Sequence, residues 1–381
     1  MKRSPSELSF YQHAKSNFTT TITPLPYELY LCSFRTKDIS QCAYTLIQLM
    51  LFPQQQTFFS FTSAQGEASM VIEKKAFELF PPDIFIRSKY SWKAIQIGLG
   101  SLGYTGTGVV SSVSRPLACS GIPIYYLSTA NSDFILVQES TLDQAMACLG
   151  SAFCAGEESI GTPLPSRPPR LTTLPAISLL ASFNQQDALY TTKPLLGAIF
   201  YNDRVLPANQ FFSFAQVDEE TSLLIDEESA KLFQVSPGSC IAFSEPWCCF
   251  QRKKKHGFSE TGVVSYLSSI LARAEIPMLY LSTYGSDLIL VEQKSRKNAT
   301  DLLTEAKILL EGPLLPTEDS THSGSELSSP PYDSEDEVFC SPSFSSSSCS
   351  SLQTSPAAHS SSSPSLLSAS LAVQEHKEAI G

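Results

Sequence analysis

Two glycines stand where the sequence predicts that helices begin, and two valines follow each of them. Gly108 precedes Val109–Val110, and Gly262 precedes Val263–Val264. The first turn of a helix carries unpaired N–H groups and the positive end of the helix dipole, so it suits an anion such as an α-carboxylate. Glycine at this position lets a ligand approach the backbone closely. The pattern therefore predicts a small-ligand site at these helix starts.

Charged residues accompany both of these helix starts in the sequence. Asp133 and Asp287 each open a predicted strand, and Glu260 lies just before Gly262. A carboxylate in such a place either binds a cationic group or caps the turn in which it sits, and both readings stay open for each aspartate. For the basic run Arg252–Lys255 we predict a solvent-exposed loop.

The two predicted helices differ at one position that bears on ligand binding. Pro116 lies inside the first helix and has no N–H to donate to the carbonyl of Ser112, four residues earlier. That carbonyl is therefore predicted to accept from a ligand ammonium group or from water. The second helix carries Ile270 at the matching position, so we expect it to stay regular and the two halves of the site to be unequal.

The sequence predicts neither an enzyme nor a cofactor or metal site. The five histidines lie mostly near the termini, so no Ser-His-Asp or Cys-His arrangement is expected. The segment GLGSLG at 98–103 lacks an acidic residue at the ribose-binding distance and is followed by two strands, so we predict a strand-to-helix loop there. The ten cysteines include no CxxC pair or zinc-type spacing and are expected to be free thiols.

The charge distribution and the hydropathy indicate which class of partner and which cell compartment to expect. The formal net charge is −11. From Gly312 onward there are nine acidic residues and one lysine, which leaves about −3 for the rest and argues against nucleic acid as the main partner. No run of about 18 apolar residues predicts a membrane span, and the first residues contain no apolar secretory segment. We therefore expect a cytoplasmic protein.

A long internal repeat organises the chain. The segment at 108–137 recurs at 262–291, each matching residue lying 154 positions later. Both copies contain Gly-Val-Val, an Ile-Pro step, Tyr-Leu-Ser-Thr, a single aspartate and an Ile-Leu-Val run. Matches at this density indicate a duplicated module.

Hydrophobic periodicity predicts two small units in each half, each made of a strand, a helix, two strands and a helix. The fold class is therefore α+β, with four ferredoxin-like units in two tandem pairs. The predicted segments are a disordered lead-in at 1–25, units at 26–85 and 86–154, a linker at 155–172, units at 173–240 and 241–311, and a disordered Ser/Pro-rich acidic tail at 312–381. Within that tail, Ser334 precedes three acidic residues and is a candidate for an acid-directed kinase.

The duplicated pattern resembles the CASTOR family of tandem ACT-domain proteins, which are cytosolic arginine sensors of the TOR growth pathway. The resemblance is carried by the two FFSF strands, by GFSETGVV at 257–264 and by both Tyr-Leu-Ser-Thr…Asp segments, over about residues 27–310. It implies four βαββαβ ACT domains, a non-catalytic regulator, and arginine or a related amino acid bound between the second and fourth domains. A TOR-pathway protein complex and a homodimer are the implied partners. The ligand-binding residues that it implies are Ser112, Val113, Gly257, Glu260, Thr261, Gly262, Val263, Val264, Thr283, Tyr284 and Asp287.

The chain departs from the family at two places, and two other functions remain as alternatives. The family's glycine-rich, near-neutral loop is replaced here by 252–256, RKKKH, whose cations would disfavour a cationic ligand unless they point to solvent. The family's partner-binding surface carries Tyr-Gln-Thr-Asp, where this chain has Ala130–Asp133. One rival is a regulatory subunit of an aspartokinase-like biosynthetic enzyme. The other is a ligand-free scaffold that acts through its tail.

Overall fold

The computed structural model describes residues 21–311 except 53–57, 100–104, 156–162, 166–167, 185–187, 201–210, 235–240 and 255–256. The predicted tail with Ser334 and most of the predicted lead-in lie outside the described residues. Within the described part, the order of elements repeats from the first half to the second.

The strands and helices are numbered in chain order. The strands are β1 Thr21–Pro24, β2 Leu29–Arg35, β3 Phe58–Ala64, β4 Glu67–Glu73, β5 Ile86–Arg87, β6 Trp92–Gly98, β7 Tyr125–Ser128, β8 Ser132–Gln138, β9 Arg170–Asn184, β10 Phe211–Val217, β11 Glu220–Asp226, β12 Trp247–Lys253, β13 Met278–Ser282, β14 Ser286–Glu292 and β15 Leu309–Glu311. The helices are α1 Ala43–Leu51, α2 Lys74–Phe77, α3 Val109–Cys119, α4 Leu142–Ala155, α5 Ala188–Phe200, α6 Glu227–Gln234, α7 Val263–Ala272 and α8 Arg296–Glu305.

The strands of all four units join into one sheet that closes on itself. Its order is β6-β8-β7-β13-β14-β12-β9-β11-β10-β3-β4-β2, and the ring closes where Leu29 of β2 pairs with Trp92 of β6. The short strands β1, β5 and β15 pair with β6, β2 and β9 outside this path. The fold is thus α+β, as the sequence predicted, and its ACT-type units share a single continuous sheet.

The two halves meet through equivalent strands. Leu127 of β7 pairs with Leu281 of β13, and these residues occupy the same place in the repeat. On the opposite side of the ring, Phe61 of β3 pairs with Phe214 of β10, which are again matching positions. Self-matching contacts of this kind define a two-fold relationship, here between the halves of one chain.

Alternation along the strands divides the buried residues between the two faces of the sheet. One face, with Ile95 and Phe250 among its residues, packs against helices of the second and fourth units. A second cluster combines the first and third units with their helices. The opposite face, including Trp92, Phe134 and Trp247, forms a core made of strand and loop residues from all four units.

Two predicted boundaries need correction. Thr21–Pro24, placed in the lead-in, forms β1 because Ile22 buries its side chain in the core while its backbone pairs with β6. Arg170–Thr172, placed in the linker, belongs to β9 and pairs with β15. Helix α2 ends at Phe77, ahead of Pro81. Among the described helices, none is long and apolar enough to cross a membrane.

Candidate ligand site between the second and fourth units

The two glycine helix starts have the same backbone geometry. Gly108 and Gly262 adopt left-handed conformations with φ of 77° and 80°, and no side chain caps either helix. This conformation strains residues that carry a Cβ, which explains glycine at both places. Helices α3 and α7 pack on each other, so the second and fourth units bring the two helix starts to one interface.

A cavity of about 30 Å³ lies at this interface. Ser114, Ala118, Ile122 and Ile124 of the second unit form one wall. The fourth unit contributes its charged residues and the loop that leads into α7. These lining residues are Arg252, Lys254, Gly257, Phe258, Glu260, Thr261, Gly262, Val263, Val264, Ser265 and Asp287.

The residues expected to bind a ligand divide into two groups. Those lining the cavity are Gly257, Glu260, Thr261, Gly262, Val263, Val264 and Asp287, and those outside the lining are Ser112, Val113, Thr283 and Tyr284. On α3, Val113 is buried in the hydrophobic core and the Ser112 hydroxyl donates to the Val109 carbonyl at 2.9 Å. The face of α3 that reaches the cavity carries Ser114 and Ala118, one helical turn apart.

The cavity's carboxylates are already paired with cations of the same chain. The Arg252 guanidinium donates to Asp287 at 2.9 Å, and its other terminal nitrogen donates to Glu260. Lys254 lies 3.2 Å from the second Asp287 oxygen and donates to the Thr283 carbonyl at 2.7 Å. The side chains of Arg252, Lys254 and Asp287 are 10%, 8% and 4% exposed. The carboxylates that a cationic ligand would bind are therefore occupied by the chain's own cations.

The prediction of a solvent-exposed basic loop is wrong for Arg252 and Lys254. Strand β12 extends through Lys253, and successive side chains of a strand point to opposite faces. Phe250 faces the helices, so Arg252 shares its face, whereas Lys253 between them is exposed. Lys254 lies 5.0 Å from the ring centre of Tyr125, a cation–π contact. Alternation from Phe250 is the sequence signal that could have identified Arg252.

The environment affects the protonation of these two cations in opposite directions. Burial acts to lower the pKa of Arg252, but the charges of Asp287 and Glu260 outweigh it, and the pKa is raised. For Lys254, burial dominates and lowers the pKa, and the neighbouring Arg252 acts in the same direction. Arg252 is therefore held firmly in its charged form.

At the matching place in the first half, Ile97 occupies the position of Arg252. Ile97 stands opposite Asp133 across β6 and β8, where Arg252 stands opposite Asp287 across β12 and β14. Buried Asp133 accepts from the Tyr126 hydroxyl at 2.8 Å. Burial raises the pKa of Asp133 to about 6. The two repeated aspartates thus have different environments, one with cations and one with neutral donors.

The charged cluster connects to the joint between the halves. The Ser282 hydroxyl donates to Asp287 at 2.9 Å and accepts from the backbone N–H of Tyr126 at 3.2 Å. In the reciprocal contact, the Ser128 hydroxyl accepts from the backbone N–H of Tyr280 at 3.0 Å. Ser282 therefore links the Asp287 carboxylate to the β7–β13 joint by hydrogen bonds.

The turn that follows Thr283 also contacts the other half. The backbone N–H of Gly285 donates to Glu67 of the first unit at 2.9 Å. The two-fold equivalent joins the N–H of Asn131 to Glu220 of the third unit at 3.2 Å. Each half therefore inserts a turn against a glutamate of the other half. In the described ranges, no group of three or more His, Cys, Asp or Glu side chains is arranged to hold a metal ion.

Comparison with known proteins shows which family the second and fourth units resemble. The ACT domain model matches residues 87–151 and 243–305, which fall in the second and fourth units. The chain is 24% identical over 319 residues to the cytosolic arginine sensor for mTORC1 subunit 1 of Pongo abelii and of Homo sapiens, covering 72% of this chain and 97% of each relative.

Two solved structures show weaker similarity. An aspartate kinase from Synechocystis matches with a TM-score of 0.29 and 12% identity, over 75% of this chain and 55% of the kinase. The protein Atu0741 from Agobacterium tumefaciens matches with a TM-score of 0.29 and 21% identity, over 40% of this chain and 99% of that protein.

Proposed function

Since this chain is a CASTOR-family homologue that contains ACT domains, we propose that it is a non-catalytic amino-acid sensor whose ligand binds between the second and fourth units. The observation that carries the proposal is the cavity at the start of α7, where the α3 wall of the second unit meets the loop and helix start of the fourth. The proposed binding residues are Gly257, Glu260, Thr261, Gly262, Val263, Val264 and Asp287. Ser112, Val113, Thr283 and Tyr284, which lie outside this lining, are the remaining residues that the resemblance implies.

The chemistry of the cavity suits the main-chain end of an amino acid. A ligand carboxylate would lie at the uncapped start of α7, against the N–H groups and the helix dipole. The hydroxyls and carbonyls of the neighbouring loop offer acceptors for an ammonium group. Helix starts of this kind bind anions in unrelated proteins through the same backbone groups.

The size of the cavity supports regulation by two arrangements of the halves. A space of about 30 Å³ is far below the ~150 Å³ that holds benzene. An amino acid therefore enters only when α3 and the start of α7 move apart. A ligand that binds the two arrangements with different affinity shifts their populations. The Gly285–Glu67 and Asn131–Glu220 contacts carry that shift to the first and third units.

For the partner, we propose a protein complex of the TOR pathway, since the curated relatives are named as sensors for mTORC1. The proposed compartment is the cytoplasm, and a homodimer fits the family. Affinity purification of the full chain, with and without amino acids, tests the partner. Amino-acid-dependent recovery of a TOR-pathway complex supports the proposal. Recovery of an aspartokinase-like enzyme would instead support a biosynthetic regulator.

The binding proposal is tested by isothermal titration calorimetry of the folded full chain with single amino acids. Binding of at least one amino acid that is weakened by Gly262→Ala supports the site. Absence of heat with every amino acid, in a sample that unfolds cooperatively, would reject the sensor and favour a ligand-free scaffold.

A further inference from the structure

Arg252 makes the contacts of a bound guanidinium ligand, although it belongs to the chain. One terminal nitrogen donates to Asp287 and the other to Glu260, so a single side chain satisfies both carboxylates of the cavity. A planar guanidinium with donors in a fixed fork suits two acceptors at once. Only 10% of the Arg252 side chain is exposed, so this pairing takes place away from water.

The repeat shows that an aspartate at this strand position does not require a partner like Arg252 to keep its place in the sheet. In the first half, Asp133 keeps its strand position with Ile97 opposite it, and the joint serine Ser128 keeps its contact. Arg252 is therefore an addition to a common framework of aspartate and serine. The added group fills the space beside the second carboxylate.

The charges of the cluster balance within the chain. Arg252 and Lys254 supply two positive charges, and Asp287 and Glu260 supply two negative charges. A cationic ligand side chain would find no uncompensated carboxylate among the described lining residues, and it would face two buried cations. Displacing Arg252 would break a buried ion pair, which costs far more than breaking an exposed one.

We propose that Arg252 is a tethered guanidinium that occupies the cationic subsite, so that the site takes an amino acid with an uncharged side chain and excludes free arginine and lysine. This inference rests on the proposed function for the identity of the ligand as an amino acid. The occupancy of the subsite by Arg252 stands on the ion pairs alone. Arg252 is thus the specificity-determining residue of the site.

The test is chemical complementation of Arg252→Ala in the full chain. Methylguanidinium is titrated into the wild type and the variant, with thermal unfolding and calorimetry as readouts. Methylurea, which has the shape of methylguanidinium without its charge, and an equal concentration of NaCl serve as controls. The variant is expected to bind methylguanidinium about 100-fold more tightly than the wild type does. Arg170→Ala, which removes an exposed arginine paired with Glu311 at 3.6 Å, is the matched variant and should gain nothing.

Loss of folding would not prevent the test. If Arg252→Ala is unfolded, recovery of the folded fraction with methylguanidinium but not with NaCl supports the proposal. Arg252→Gln keeps an amide donor but no charge. It is a second variant in which binding of methylguanidinium is measured. The proposal is overturned if the wild type binds arginine or methylguanidinium as tightly as the variants do. It is equally overturned if neither variant gains binding or recovers its fold.

The two proposals fail in different ways. If the wild type binds no amino acid but Arg252→Ala binds methylguanidinium, the sensor function fails and the tethered guanidinium stands. If the wild type binds free arginine with Arg252 in place, the sensor function stands and the tethered guanidinium fails.

Discussion

The guanidinium of Arg252 donates to the carboxylate of Asp287 at 2.9 Å from the directly opposite position on the neighbouring strand. This contact places a cation of the chain on one of the residues that the family resemblance implied for ligand binding. Because Ser282 joins the same carboxylate to the backbone of Tyr126, the ion pair also bears on the joint between the halves. The first predictions concern the two aspartates.

Replacing Asp287 should destabilise the protein strongly. Asp287→Asn removes the charge that compensates Arg252 and Lys254, both of which are buried. Breaking one side of a buried ion pair typically costs about 3–5 kcal/mol. Urea unfolding at neutral pH measures the change in the free energy of unfolding. Lys231→Ala, which breaks an exposed ion pair with Glu228, is the control. An equally small loss of unfolding free energy in Asp287→Asn would show that the cluster is solvated.

The matching substitution Asp133→Asn should have the opposite effect at neutral pH. Burial raises the pKa of Asp133 from 3.8 to about 6, so between these values the native state holds its proton while the unfolded chain has released it. Stability therefore falls as the pH rises through this window, and the cost persists above it. Asparagine keeps an acceptor for Tyr126 without the buried charge. We expect it to raise the free energy of unfolding at neutral pH by about 1–3 kcal/mol.

The pH dependence provides the check on this explanation. Denaturant unfolding of the wild type and Asp133→Asn is compared at several pH values from about 4 to 7. The gain in free energy of unfolding of Asp133→Asn over the wild type should grow with pH and level off above the pKa of Asp133. An advantage that does not change with pH would mean that Asp133 is already charged throughout in the native state.

A pair of glycine substitutions separates backbone strain from ligand binding. Gly262→Ala and Gly108→Ala place a Cβ at nearly equal left-handed φ values of 80° and 77°. Each should cost about 1–2 kcal/mol of stability. Only Gly262 lines the cavity, so only its replacement should weaken amino-acid binding, by about tenfold or more. Equal effects of both on affinity would place the site elsewhere.

The turn contact between the halves is testable at Gly285. A Cβ at this residue would lie 2.5 Å from a Glu67 carboxylate oxygen, so Gly285→Ala should displace Glu67 from the Gly285 N–H. We expect a loss of about 1 kcal/mol and faster hydrogen exchange at this turn. Asn131→Ala is the control, because the matching turn already carries a Cβ and keeps its backbone bond to Glu220. Unchanged exchange in Gly285→Ala would show that the turn does not depend on Glu67.

Much of the fold followed from local patterns. The repeat predicted two similar halves, and the Gly-Val-Val motif predicted the starts of α3 and α7. The ring of strands did not follow, because its closing contacts, such as Leu127 with Leu281, join residues far apart in sequence. Nothing in the local sequence of either strand specifies such a partner, although its matching place in the repeat suggests one in retrospect.

The site was less predictable than the fold for a physical reason. A run of lysine and arginine is usually solvated, and composition alone does not separate Arg252 and Lys254 from exposed Lys253. The strand pattern assigns Arg252 to the buried face only once β12 is known to extend past Gln251. Its partners Asp287 and Glu260 lie on a separate strand and loop, so the pairing depends on the assembled unit.

The measurement that tests the central claim most directly is calorimetric titration of the folded full chain with individual amino acids, alongside Gly262→Ala and Gly108→Ala. We predict saturable binding of an amino acid with an uncharged side chain, no binding of arginine or lysine, and weakened binding in Gly262→Ala alone. Binding that is unaffected by Gly262→Ala, or no binding of any amino acid to the folded protein, would contradict a sensor site between the second and fourth units.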